Sequence, residues 1–339
     1  MLLLKKLSEA AGVSGCENEV RNILKEELKE YADFKTDALG NLLFEKKNKG
    51  KKPRIMIAAH MDEVGLMITS ILKNGFLKFE SVGGIDDRIL VSKTVTIGPN
   101  KIKGVIGAKP IHRQDPKERE NALKIKNLYI DIGAKDQEDA EKKVKIGDYA
   151  CFDTEFEIIG ENIVKGKALD DRIGCFVVAE LLKRNYEVEI CGAFTVQEEI
   201  GLRGSGVAVY QLKPDVAIVV EGTFASDVPG TKEEEYNTVL GMGPAVTTMD
   251  RSFIANKGMR DRVFEVAKKN NIPCQPRRTN LGGTDGGRIQ SIGEGIPTIV
   301  ISVPTRYIHS PVSMADINDI NNTILLINFL ILDYQERGI

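Results

Sequence analysis

The chain has 339 residues, of which 42% are hydrophobic and 28% are charged, and its formal net charge is −2. This composition is that of an ordinary globular protein and excludes disordered and fibrous chains. Because acidic and basic residues are balanced, the charge does not favour a nucleic acid partner, and the short basic cluster at residues 46–52 is predicted to be a solvated turn.

Residues 1–6 contain too few apolar side chains for a signal sequence, and no later apolar run approaches the roughly 18–20 residues that span a bilayer. We therefore expect a cytoplasmic protein without a membrane partner. The five cysteines are scattered and are never spaced as Cys-x-x-Cys, which argues against a disulfide framework and a thiolate zinc site. Cys175 and Cys191 lie among apolar residues and are predicted to be small core residues.

The first predicted helix covers residues 17–30. Ser14 and Glu17 have the spacing of a capping box, and apolar residues follow at helical intervals. Two predicted strands come next, at residues 42–44 and 54–59. The second strand is uniformly apolar, which predicts a central position in a sheet with both faces covered.

Residues 66–163 have a different texture, with short alternating segments separated by glycines, a pattern typical of a small β-barrel or sandwich. We predict that this stretch is an inserted β-rich domain and that its polar segment 109–126 is a mobile loop. Residues 1–65 and 164–339 then form the main domain.

Long helices and apolar strands alternate after residue 166. The predicted helices cover residues 171–183, 260–270 and 317–334, and the predicted strands cover residues 188–196, 215–220 and 298–303. This alternation predicts an α/β fold with a mixed, mostly parallel sheet flanked by helices.

Polar side chains follow the predicted strands, at the edge where open α/β sheets bind ligands. His60 and Asp62 follow the central strand, and His309 lies shortly after the last strand. The other candidates are carboxylates that follow strands or begin a helix: Asp170, Glu198, Glu199 and Glu221. Two of only three histidines thus occur at strand ends together with these acids, which predicts one joint site. The third histidine, His112, has no such context and is interpreted as a loop residue.

Imidazole and carboxylate groups are typical ligands of divalent ions such as zinc or cobalt. Five candidates suit two ions if one carboxylate bridges them: His60, Asp170, Glu199, Glu221 and His309. Three carboxylates and a bridging hydroxide would neutralise two dications, so the centre could be buried at little electrostatic cost. Glu198 would then act as a general base, and Asp62 would accept the other N–H of the His60 ring and fix its tautomer.

These segments resemble the motifs of the tetrahedral (TET-type) dinuclear zinc or cobalt aminopeptidases, a group that includes glutamyl and deblocking aminopeptidases and some relatives labelled endoglucanase. The resemblance covers essentially the whole chain and keeps the order of the motifs. The matching segments are His60-x-Asp62, Ala168-Leu169-Asp170-Asp171-Arg172, Glu198-Glu199-x-Gly201, Glu221-Gly222-Thr223, Ala225-Ser226-Asp227-Val228-Pro229-Gly230, Gly282-Gly283-Thr284-Asp285 and Arg306-Tyr307-x-His309-Ser310.

The resemblance implies a zinc-peptidase-like main domain in which Asp170 bridges the two ions. One ion would be held by His60 and Glu221, and the other by Glu199 and His309. Many relatives carry aspartate at the position of Glu221. The longer glutamate can still reach a metal, and this difference leaves open whether it binds through one oxygen or both and which metal the centre prefers.

The resemblance also implies that Glu198 is the general base and that residues 66–163 form a dimerisation domain. Twelve subunits would close into a hollow tetrahedral particle with the active sites inside. Gly283, Thr284 and Asp285, within the segment 279–287, are expected to contribute to the pocket for the first substrate side chain.

The expected activity is removal of N-terminal residues from peptides by a metal-bridged hydroxide. Glycoside hydrolysis is an alternative, although it normally uses two opposed carboxyl groups and no transition metal. A second alternative is a peptide-binding scaffold with structural metals, although such sites are usually closed and often contain cysteine. The sequence does not indicate whether acidic, basic or aliphatic N-terminal residues are preferred.

Overall fold

The computed structural model describes residues 1–46, 50–278 and 282–339. In chain order the strands are β1 (Ala32–Thr36), β2 (Leu42–Lys46), β3 (Lys51–His60), β4 (Gly65–Ile71), β5 (Leu77–Val82), β6 (Thr94–Ile97), β7 (Ile102–Gly107), β8 (Tyr129–Asp131), β9 (Tyr149–Phe152), β10 (Glu157–Ile159), β11 (Ile163–Gly166), β12 (Val188–Thr195), β13 (Val216–Phe224), β14 (Ala245–Thr247), β15 (Gln275–Arg277), β16 (Thr298–Arg306) and β17 (Ser313–Asp316). The helices are α1 (Leu2–Glu9), α2 (Asn18–Leu28), α3 (Pro116–Arg119), α4 (Gln137–Glu141), α5 (Leu169–Leu182), α6 (Arg203–Leu212), α7 (Lys257–Lys269), α8 (Asp285–Gln290) and α9 (Ile317–Arg337).

A large mixed sheet forms the centre of the fold. Its strand order is β1-β2-β12-β3-β13-β16-β17-β11-β10, and β14 and β15 extend it beside β16. The four central strands β12, β3, β13 and β16 run parallel, whereas the strands outside them in this order pair antiparallel. Strand β14 pairs antiparallel with β16 and parallel with β15. The predicted α/β class with a mostly parallel sheet is confirmed. Each helix and strand predicted from the sequence is present, with ends that differ by a few residues.

Strand β3 lies at the middle of this sheet, as its apolar run predicts. Alternate residues face opposite sides: Ile55 and Ile57 pack with α1, α2, α5, α7 and α9, whereas Met56 and Ala58 pack with α6 and α8. Helices therefore cover both faces, which explains why the run has no polar side. Cys175 and Cys191 are buried in these two layers, which confirms their prediction as core residues.

The inserted segment contains a closed barrel of six strands in the order β4-β5-β8-β7-β6-β9. Every pair of neighbours in the barrel is antiparallel, and its own apolar core includes Leu66, Ile97 and Ile130. Strands β10 and β11 follow the barrel in sequence but pair with β17 in the large sheet. The polar segment 109–126 includes the short helix α3, and its mobility stays a prediction.

Two local predictions are wrong. The capping box does not form, because the Ser14 hydroxyl donates to Asp62 Oδ2 at 2.6 Å while Glu17 accepts from the amide of Gly15. Lys46 is not solvated, since it is 7% exposed and its ammonium donates to the Leu182 carbonyl at 2.7 Å. Positions 47–49 of the predicted basic turn lie outside the described residues. Within the described part of the chain, no helix combines the length and the apolar character needed to cross a membrane.

Gly192 on β12 allows close approach of its neighbours in the central sheet. An added Cβ would lie 1.9 Å from the Ile57 carbonyl oxygen and 2.3 Å from Cζ of Phe44. We expect Gly192→Ala to lower the free energy of unfolding by roughly 2–3 kcal/mol, because the backbone of a central strand must shift. Urea unfolding of the purified protein measures this change.

Gly258→Ala is the matched control for this substitution. Gly258 is exposed in the first turn of α7, where alanine favours the helix by up to about 1 kcal/mol. An unfolding midpoint of Gly192→Ala equal to that of the unmodified chain would show that the sheet tolerates the extra methyl group.

Candidate metal centre

A cavity of about 410 Å³ lies at the carboxyl ends of the central strands β3, β12, β13 and β16. The five predicted metal ligands and Glu198 all line its wall: His60, Asp170, Glu198, Glu199, Glu221 and His309. Segments far apart in the chain therefore converge as the strand-end argument predicts.

The first donor group consists of His60, Asp170 and Glu221, whose ligand atoms lie within 4.8 Å of one another. His60 Nε2 lies 3.4 Å from Asp170 Oδ1 and 3.6 Å from Glu221 Oε2. His60 ends β3 and Glu221 lies within β13, so two paired parallel strands fix both side chains.

The second donor group consists of Asp170, Glu199 and His309, again with ligand atoms within 4.8 Å. His309 Nε2 lies 3.3 Å from Glu199 Oε2 and 3.9 Å from Asp170 Oδ2. Asp170 thus directs one oxygen toward each imidazole. Its Oδ1 is buried, and within the described residues it has no hydrogen-bond partner, which is the situation of an oxygen prepared for a cation.

The backbone before α5 and a glycine on β13 make room for Asp170. Ala168 adopts a left-handed conformation with φ +52°, and Asp170 itself is not helical, with φ −84° and ψ 108°. On the other side, a Cβ at Gly222 would lie 2.8 Å from Asp170 Oδ1. The absence of a side chain next to Glu221 therefore permits the aspartate to approach.

Asp62 lies beneath the cavity and is fully buried. Its carboxylate accepts hydrogen bonds from the amides of Glu198 and Glu199, at 3.0 and 3.1 Å, and from the Ser14 hydroxyl. The His60 Nδ1 atom lies 3.1 Å from the main-chain oxygen of Asp62 and 3.5 Å from its Oδ1. Burial opposes ionisation of Asp62, but these contacts lower its pKa below the ordinary value.

A buried ionic cluster supports the loop that follows His60. Arg172 is fully buried and donates to the carbonyls of Met61 and Ala10 and to the Glu63 carboxylate. Lys167 donates to both Glu63 oxygens, at 2.7 and 2.8 Å. The two cations therefore share one carboxylate, and the cluster ties the end of α1 to the loop that follows His60.

The carboxylates of the cavity stand close enough together to disfavour ionisation. Burial, with help from the Asp170 carboxylate, raises the pKa of Glu199 to about 7 against the opposing effect of His309. Burial also raises the pKa of Glu198 and Glu221 well above the usual value for a glutamate. Divalent cations would relieve this crowding, and imidazole with carboxylate is a donor set that zinc and cobalt accept, so the residues fit two such ions.

The predicted substrate residues separate into two places. Gly283 and Thr284 line the cavity, whereas Asp285 is 1% exposed and lies behind the wall. Asp285 Oδ2 accepts from the Thr195 hydroxyl at 2.6 Å, and its amide donates to Glu221 Oε1 at 3.4 Å. Positions 279–281 of the predicted segment lie outside the described residues.

Sequence reasoning missed several residues on the cavity wall. Phe224 and Ile308 lie next to predicted motifs, so extending the strand-end argument by a few residues would have found them. Arg277 lies on the short strand β15, where no periodic pattern marks it, and its Nη1 is 3.7 Å from Asp250 Oδ2. His112 is exposed in a helical turn outside the cavity wall.

Comparisons with known proteins agree with this geometry. Residues 40–326 match the family model described as M42 glutamyl aminopeptidase. A putative aminopeptidase of Acetivibrio thermocellus is 44% identical over 96% of this chain and 96% of its own length.

Two solved structures are similar over nearly the whole chain. The TET aminopeptidase of Thaumarchaeota archaeon SCGC AB-539-E09 has a TM-score of 0.94 and 40% identity, covering 98% of this chain and 95% of its own. The TET1 peptidase of Pyrococcus horikoshii, which can assemble into a tetrahedron or a large octahedral shell, has a TM-score of 0.87 and 36% identity, covering 97% and 98%. The chain therefore belongs to the M42 family of aminopeptidases, which are metal-dependent peptide hydrolases.

Proposed function

We propose that this chain is a dinuclear metallo-aminopeptidase that removes N-terminal residues from peptides with two zinc or cobalt ions. The observation that carries the proposal is the pair of donor groups that share Asp170, one oxygen toward each histidine. Two ions sharing one carboxylate lie close enough to act on the same substrate carbonyl.

In this proposal Asp170 would be shared between the two ions. His60 and Glu221 would hold one ion, and Glu199 and His309 would hold the other. The engagement of Glu221 Oε1 by the Asp285 amide supports binding through the remaining oxygen, Oε2. When bound, the ions supply Lewis acidity and activate a water molecule for attack on the peptide carbonyl.

Glu198 is the proposed general base. It borders the cavity next to the ligand Glu199 but belongs to neither donor group among the described residues. Because its carboxylate is not assigned to either ion, it is available to accept a proton from the attacking water and then give it to the leaving amine. Asp62 holds the main chain of both glutamates and thereby fixes the direction of this side chain, while it also lies against the His60 ring.

Gly283 and Thr284 are proposed to contact the substrate, since both line the cavity. Asp285 is proposed to act on the substrate through Glu221, because its amide contacts that carboxylate while its side chain faces the interior.

Two features outside the cavity belong to the same proposal. Residues 66–163 are proposed to form a dimerisation domain, and the dimers are proposed to assemble into a tetrahedral dodecamer. The assembly of the Pyrococcus horikoshii TET1 peptidase supports this proposal. We also infer a cytoplasmic enzyme from the sequence.

The alternatives fit the cavity less well. Glycoside hydrolysis requires two carboxyl groups on opposite sides of a bond, whereas here four acids converge with two imidazoles. A purely structural metal site is closed and often contains cysteine. Both donor groups instead border a cavity of about 410 Å³ whose described lining contains no cysteine.

We expect Glu198→Gln to retain two bound ions and to lose turnover by roughly 10²- to 10⁴-fold, because the amide cannot accept the proton. Elemental analysis and hydrolysis of aminoacyl chromogenic substrates measure the two quantities. Glu161→Gln, at an exposed loop position, is the control and should leave both unchanged. Full activity in a fully metallated Glu198→Gln protein would reject the assigned role.

Asp170→Asn should lower the total bound metal below two ions per chain, because the neutral amide is a poor bridge between two cations. Elemental analysis after dialysis against cobalt gives the ratio. Asp131→Asn, an exposed substitution on the barrel, should keep the full complement. An unchanged ratio in Asp170→Asn would contradict the shared carboxylate.

Removal of the ions should make stability depend on pH. Between the ordinary glutamate pKa of 4.5 and the raised value of about 7 for Glu199, the folded chain binds more protons than the unfolded chain. The melting temperature of chelated protein should therefore fall as the pH rises through this window. Cobalt should abolish the fall, because the bound cations stabilise the ionised carboxylates.

Melting curves at about pH 5.5 and about pH 8, with chelator and with cobalt, make the comparison. A chelated protein whose melting temperature is the same at both values would show that the carboxylates do not repel one another as described.

A further inference from the structure

His309 is the predicted ligand that the fold supports least directly. Its side chain is 42% exposed, whereas that of His60 is 1% exposed. It lies in the loop 307–312 between β16 and β17, where both Tyr307 and His309 have left-handed backbone conformations, with φ +61° and +55°. Such conformations are costly outside glycine and persist only when surrounding contacts hold them.

An ion pair stands at the entrance to this loop. Arg306, the last residue of β16, donates through Nε to Asp227 Oδ1 at 3.2 Å and through Nη2 to Asp227 Oδ2. The carboxylate is mostly buried, with 11% of its side chain exposed, and it raises the pKa of the Arg306 guanidinium. Two parallel bonds between a guanidinium and a carboxylate fix orientation as well as distance.

The loop that carries Asp227 is held by hydrogen bonds to a neighbouring segment and by the strand that precedes it. The amide of Ser226 donates to the Thr238 carbonyl at 3.2 Å, and its hydroxyl accepts from the Asn237 amide at 2.7 Å. Strand β13, from which this loop leaves, runs parallel to β16 with Phe224 opposite Thr305. Asp227 is therefore a fixed point against which Arg306 is positioned.

The far side of the His309 loop has separate contacts. The Ser310 hydroxyl lies 2.6 Å from the carbonyl oxygens of both Tyr307 and Val312, either of which can accept its proton, and the Thr154 hydroxyl donates to the Pro311 carbonyl at 2.7 Å. The loop is thus fixed at its entrance by a charged pair and at its exit by neutral hydrogen bonds. Charged bonds are the stronger of the two kinds.

We propose that Asp227 and Arg306 are positioning residues that hold His309 in place for the donor group of Asp170, Glu199 and His309. This inference rests on the proposed function. The two ligands that belong only to the other donor group are independent of the pair, because His60 and Glu221 lie on β3 and β13, which are hydrogen-bonded along the central sheet. Loss of the pair therefore weakens one of the two metal positions and spares the other.

Titration of metal-free protein with cobalt, with the binding measured by calorimetry, tests the proposal. In Asp227→Asn the neutral side chain loses the charge and one of the two acceptor oxygens, and in Arg306→Lys the ammonium loses the paired geometry. We expect both variants to bind one cobalt equivalent with unchanged affinity. The second equivalent should bind roughly 10- to 100-fold more weakly, as is usual when a group that orients a ligand is removed.

Asp333→Asn is the matched control. It disrupts the mostly buried arginine–aspartate pair of Arg262 and Asp333, which joins α7 to α9 and does not adjoin the His309 loop. This control should lower the melting temperature and leave both cobalt affinities unchanged. If the pair of Asp227 and Arg306 had a purely structural role, Asp227→Asn and Arg306→Lys would also lower the melting temperature and leave both cobalt affinities unchanged.

Three outcomes distinguish the claims. Two unchanged cobalt equivalents in both Asp227→Asn and Arg306→Lys would overturn the positioning role. Equal weakening of both equivalents would also overturn it, because the effect would not be confined to the His309 side. An unmodified chain that binds only one equivalent would overturn the proposed dinuclear function itself.

Discussion

The shared Asp170 carboxylate is the constraint on which the rest of the site depends. Its two oxygens face the imidazoles of His60 and His309, which are far apart in the sequence. One of these oxygens, Oδ1, is buried without a hydrogen-bond partner among the described residues. Three glutamates stand around this carboxylate, so the cavity concentrates negative charge. Without cations the clustered carboxylates lower the stability of the fold, and with cations they are stabilised. Many contacts are therefore needed to hold the carboxylates together.

Those contacts come from several layers of the fold. Asp62 joins the loop after β3 to the turn that carries Glu198, and the cluster of Glu63, Lys167 and Arg172 fastens that loop to α1. Gly222 keeps the opposite side open for the aspartate. The carboxyl ends of parallel strands provide the rigid frame that carries His60 and Glu221, whereas Glu199, Asp170 and His309 lie on the segments beyond the strands.

Much of this arrangement was predictable because apolar runs reveal parallel strands, and parallel strands place their ends together. His60, Glu199 and Glu221 follow from that rule alone. Contacts between distant segments were not predictable in this way. Ser14 has the local spacing of a helix cap, but tertiary structure brings Asp62 to it as a stronger acceptor. The inward orientation of Asp285 likewise depends on Thr195, which is distant in sequence, and barrel closure is not encoded in any single strand.

Anomalous X-ray diffraction from crystals grown with cobalt tests the central claim most directly. The account predicts two cobalt peaks in each chain, one beside His60 and one beside His309, with the Asp170 carboxylate contacting both through different oxygens. A single peak, or two peaks of which Asp170 contacts only one, would contradict it.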